Sequence, residues 1–78
     1  MSNINFIVNG MKRAFSRFNA RVERSGSRIK LYVPDVDNMS ERQYYNLTSE
    51  IDAWCDTEGL YEIDSWNGDT WCWVFGVD

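Results

Sequence analysis

Apolar side chains recur every three or four residues at the start of the chain. Ile4, Ile7, Met11, Ala14, Phe15 and Phe18 form one stripe, and that period predicts an amphipathic helix over about residues 3–18. Ser2 or Asn3 stands where a helix cap is needed. Lys12, Arg13 and Arg17 fall off the stripe in its second half, where the helix dipole favours cations by about 0.3–1 kcal/mol each. From Asn19 the period drops to two. Ala20 and Val22 alternate with Arg21 and Glu23, and Ile29, Leu31 and Val33 alternate with Lys30 and Tyr32, which predicts a pair of strands. Gly26-Ser27 between them suits a type II′ turn, whose first central residue takes positive φ. That turn sets Val22 opposite Leu31 and Glu23 opposite Lys30, apolar against apolar and charge against opposite charge. Pro34 has no amide hydrogen to donate and ends the second strand.

The helical period returns after Ser40, which caps free amides while Gln43 reaches back to complete a capping box; Met39 can staple onto Tyr44. Tyr44, Leu47, Ile51, Trp54 and Cys55 make the apolar stripe of this second helix, and Gly59 supplies a left-handed stop with Leu60 folding back toward Cys55. A last hairpin is expected from Leu60–Trp66 and Asp69–Val77 around Asn67-Gly68. A two-residue turn would pair Trp66 with Asp69 and leave Trp71, Trp73 and Phe75 beside Glu62 and Asp64. A three-residue turn would pair Ser65 with Asp69 and group Tyr61 and Ile63 with Trp71 and Trp73. The second is preferred because it separates acids from large aromatics. The expected fold is α+β in helix, hairpin, helix, hairpin order, with two helices packed on one face of a four-stranded, antiparallel-rich sheet. It forms a single compact domain over residues 1–78, with no linker, repeat or low-complexity segment.

Below roughly 80 residues, one core contributes only about 3–5 kcal/mol unless something reinforces it. Here aromatic mass does so: Phe, Trp and Tyr make up 15% of the chain, and each buries roughly 150–250 Å² when enclosed. Trp54, Trp71 and Trp73 are expected in the core and Trp66 at an exposed turn.

Charge adds what periodicity does not show. Residues 1–30 hold seven of the eight Lys and Arg and one of the twelve acids, Glu23; residues 31–78 hold Arg42 alone against the other eleven acids. A charged surface acts over about a Debye length, ~8 Å in physiological salt, so each half selects partners before contact.

Chemistry is harder to find. With no histidine, the commonest general base and metal ligand is missing, and neither Cys55 nor Cys72 has a partner to activate it. The two cysteines are too few and too far apart for a disulfide framework or metal cluster and are expected as free thiols. Asp35-Val36-Asp37-Asn38 starts like a calcium loop, but Met39 and Ser40 break it. Glycines are single and scattered, so no phosphate-cradling loop exists. The glycosylation-like triplets at Asn38 and Asn46 carry no weight without a sign of secretion. No apolar run is long enough to span a bilayer and no signal-peptide pattern is present, so a cytoplasmic protein without membrane attachment is expected. Neither an enzyme, a cofactor nor a metal site is expected.

Two surfaces remain. Glu50, Asp52, Asp56 and Glu58 crowd the end of the second helix, where the dipole disfavours anions and Asp52 repels Asp56 one turn away. Glu62, Asp64, Trp66 and Asp69 extend the negative surface. Local rules broken in this way point to function, here docking on the basic groove of a nucleic-acid-handling protein. The alternative is nucleic-acid binding by the basic helix and first hairpin, with Arg13, Arg17, Arg21, Arg24, Arg28 and Lys30 meeting phosphates and Tyr32 stacking on a base. A third possibility is that the acids pair internally with the basic half. Small size, bipolar charge and many aromatics fit the profile of an inhibitor or accessory protein of the kind phages encode.

Overall fold

Asn3 opens helix α1 (Ile4–Ala14) by accepting the Asn5 backbone N–H on its side chain at 2.8 Å. The computed structural model describes residues 3–67 and 71–77. The α helix ends at Ala14, short of the expected residue 18. Beyond it the Ser16 hydroxyl donates to the Arg13 carbonyl and the chain tightens into a 3₁₀ turn, Ser16–Phe18. Residues three apart eclipse in such a turn, so Phe15 and Phe18 both reach the core, with ring centroids 6.0 Å apart. Asn19, in the left-handed region at φ 56°, closes it.

Strands β1 (Arg21–Ser25) and β2 (Arg28–Val33) pair in the expected register, Val22 with Leu31 and Glu23 with Lys30. Gly26 begins the turn at φ 62°. Helix α2 (Glu41–Glu58) starts on a complete Ser40/Gln43 capping box, with bonds of 3.0 and 3.2 Å, and stops at Gly59, φ 68°. Strands β3 (Leu60–Asn67) and β4 (Trp71–Val77) follow. The result is an α+β fold of two helices and a four-stranded antiparallel sheet in the order β1-β2-β4-β3.

The second hairpin departs from both expected registers. Asn67 pairs with Trp71, Trp66 with Cys72 and Ser65 with Trp73, and a bulge at Ile63 shifts the pairing so that Glu62 faces Phe75. The physical reason is the position of β4. As an inner strand it is enclosed on both sides, with Trp73 and Phe75 in the main core and Cys72 and Val74 buried outside it, so it carries no alternation to match against β3. Tyr61 and Ile63 are consequently exposed rather than grouped with Trp71 and Trp73.

The main core joins Ile7, Val8 and Met11 of α1 and Leu47 and Ile51 of α2 to one alternating set of sheet residues: Val22, Ile29, Leu31, Val33, Trp73 and Phe75. Trp73 is buried as expected. Trp54 and Trp71 are only half-buried. Trp54 lies against Gly10, where an added Cβ would strike its ring. Trp71 stacks on Trp73, meets Tyr44 edge-on, and donates its indole N–H to Asp37 at 3.1 Å. That polar contact holds it at the margin of the core. The side chain of Trp66, expected to be exposed, and Asp69 lie outside the described residues.

Candidate functional site

Strand order turns the charge segregation of the sequence into a separation in space. β1 and β2 form one side of the sheet with α1 packed on β1, while α2 packs on β3 at the other edge. The acids therefore gather where α2 meets β3. Asp52 and Asp56 are exposed one turn apart on α2, and Glu62 is exposed on β3. Their convergence registers on the thiol between them: burial first, then the carboxylates of Asp52, Glu62 and Asp56, push the Cys55 thiol above its usual range. Among the described residues none of these three carboxylates has an ion-pair partner.

The other candidate acids behave differently. Glu50 is half-buried and its Oε2 lies 3.8 Å from Arg17 Nη2, the described ion pair that joins the acidic and basic halves. Glu58 is half-buried, and Asp64 is exposed on β3 with its Oδ1 accepting the Ser65 backbone N–H at 2.8 Å. Trp66 is placed only by its backbone pairing with Cys72. The site thus has Asp52, Asp56 and Glu62 at its centre, Asp64 further along β3, and Glu50 set apart by its contact with Arg17.

Two features escape a reading of charge alone. Tyr45 is 70% exposed and lies on the same outward stripe of α2 as Asp52 and Asp56, at spacings of seven and four residues. Its position off the apolar stripe was the available signal. An apolar notch of about 220 Å³ also opens at the end of α2, lined by Ala53, Trp54, Thr57 and Glu58. It depends on Trp54 being only half-buried, which spacing does not reveal.

Across the molecule, Arg21 pairs with Glu23 at 3.0 Å within its own strand, and its guanidinium lies over the Tyr32 ring, 5.2 Å from the centroid. Both cysteines are free thiols. Cys72 is buried and its thiol is also pushed up, chiefly by burial and against the pull of nearby Lys30, so neither thiol is activated as a nucleophile. Among the described residues no group of acids and cysteines could hold a metal ion, and no helix is long and apolar enough to cross a membrane. No protein-family model matches the chain, and no curated protein or solved structure matches it.

Proposed function

We propose that the protein is a small non-enzymatic interaction module that docks the acidic α2/β3 edge on the basic surface of a nucleic-acid-handling protein. It would act there as an inhibitor or accessory factor of phage type, in the cytoplasm. The observation that carries this reading is the gathering of Asp52, Asp56 and Glu62 around Cys55 without a described cation among them. Like charges one turn apart cost about 0.2–0.5 kcal/mol, and anions at a helix C-terminus cost about 0.3–1 kcal/mol each. Among the described residues no cation is paired with Asp52, Asp56 or Glu62 to offset that cost. A basic partner offsets it, because each carboxylate then gains a cation in a partly desolvated contact. Tyr45, on the same stripe as Asp52 and Asp56, supplies an aromatic anchor of the kind that concentrates binding energy in such interfaces.

In this reading both helices cover one face of the sheet, as shared membership of one core favours. Internal neutralisation is the weaker account, since Arg17–Glu50 is the described pair that crosses the molecule and exposed pairs contribute only about 0–1 kcal/mol.

The test starts from a partner captured from a host lysate and identified as a nucleic-acid-binding protein. The parent should displace nucleic acid from it. Reversing Asp52, Asp56, Glu62 and Asp64 to Lys should abolish displacement while leaving the melting temperature unchanged or higher. Displacement that survives the reversal overturns the reading.

A further inference from the structure

The sheet has a second set of side chains, opposite to those in the main core. Residues paired across antiparallel strands share a face, so the registers place Arg21, Tyr32 and Cys72 in one row, Glu23, Lys30 and Val74 in the next, and Arg28 and Gly76 in a third, with Asp64 of β3 extending the second row and Tyr61 the third. Cys72 and Val74 are buried but do not belong to the core shared by the helices. Their neighbours on β1 and β2 thus form a layer of long basic and aromatic side chains above a small-residue strand. At one end of this layer a cavity of about 600 Å³ is lined by Asn19, Ala20, Arg21, Tyr32 and Pro34. A second cavity of about 490 Å³ shares Asn19 with it and is lined also by Arg17, Asp35, Asn38 and Gln43.

We propose that this face binds a single nucleic-acid strand, with one base in the cavity beside Tyr32 and the backbone following Lys30 and Arg28. The chemistry is that of single-strand recognition, which combines an aromatic or guanidinium plane for stacking with cations along the phosphate track. Arg21 over Tyr32 provides the plane. Alternate residues on a strand stand about 7 Å apart on one face, so Tyr32, Lys30 and Arg28 form a line with a spacing that one stretched nucleotide can span. The carboxylate of Glu23 offsets one charge of this line, since Arg21 holds it at 3.0 Å; Arg21 then serves as a stacking plane, and Arg28 and Lys30 supply the net positive charge. A duplex is disfavoured, since a base must leave its stack to enter the cavity. The proposal goes beyond the acidic-edge reading; Asp64, in the row of Lys30 and Val74, borders both surfaces.

Fluorescence anisotropy with short labelled oligothymidylate, oligouridylate and a duplex tests it directly. The single strands should bind, with the logarithm of affinity falling against the logarithm of salt with a slope of about −1.4, as expected for two net cations. Tyr32→Leu should weaken binding by about tenfold through lost stacking. Arg28→Gln with Lys30→Gln should bring the slope close to zero; both side chains reach solvent, so this variant stays informative if Tyr32→Leu lowers stability. Reversal of Asp52, Asp56 and Glu62 alone should leave the dependence on Tyr32 intact, which keeps failure here distinct from failure of the acidic edge. Tighter binding of one single strand than the other identifies RNA or DNA as the natural ligand. No binding at low salt, equal binding of duplex, or unchanged affinity in folded Tyr32→Leu overturns the proposal.

Discussion

Strand β2 of the first hairpin alternates buried residues with exposed or half-buried ones, whereas β4 of the second hairpin is buried along nearly its whole length. In the first hairpin each residue has one side it can occupy, and turn and alternation agree on a single pairing. In the second, β4 would be buried in either parity, and β3 carries the bulge that adjusts the match. The difference teaches that register is specified by contrast between faces rather than by hydrophobicity. The most apolar strand of the molecule is the one whose partners are least determined by its own pattern.

Three measurements would break or sharpen this contrast. The largest effect is expected at one cross-strand level. Trp73→Ala should cost about 3–5 kcal/mol, most of the stability of a domain this small, while Val22→Ala on β1 should cost about 2 kcal/mol. Equal midpoints in urea denaturation would contradict the burial of Trp73 and with it the observed register.

A smaller effect separates two glycines. The Tyr61 ring lies where a Cβ on Gly76 would go, while Gly26 has open space but a positive φ. Alanine at either should cost about 1 kcal/mol, the first by overpacking and the second by left-handed backbone. Only the Gly76→Ala cost should vanish in a Tyr61→Ala background, a coupling that a double-mutant cycle reads. Additivity there would mean that Tyr61 does not cover β4.

The smallest effect is alkaline. A thiol raised above its unfolded value of 9.0 is protonated in the fold at a pH where the unfolded chain has begun to release its proton, so its contribution is complete below about pH 9 and is lost as pH rises through the folded value. Stability should therefore decline above pH 9, and more shallowly in Cys72→Ala than in the parent when each melting curve is compared with its own value at neutral pH. Parallel declines would show that Cys72 is not buried in β4.

The same contrast explains what could be read from residues alone. The first hairpin, the Ser40/Gln43 box and the Gly59 stop were legible because each is a local rule satisfied within a few residues. The position of β4 between β2 and β3 was not, since pairing of Leu31 with Trp73 is decided by tertiary packing. The end of α1 at Ala14 is not legible, because Phe18 fits the helical stripe equally well from a 3₁₀ turn. For the acidic site, charge signs along the chain indicated Asp52, Asp56 and Glu62, but the separation of Glu50 toward Arg17 and the exposure of Tyr45 depend on how α2 is rotated.

The order β1-β2-β4-β3 also bears on synthesis. Ribosomes add residues at about 5–20 per second, and β4 emerges after every other element of this sheet. Until it does, β1–β2 is an isolated two-stranded ribbon, marginal in water, and β3 has no described neighbour in the sheet. Closure then joins segments more than forty residues apart, such as Leu31 and Trp73, against the entropy of the intervening chain. The nascent protein therefore carries an unpaired edge of β2 until β4 arrives, and its vulnerability to strand-edge aggregation is concentrated in that interval.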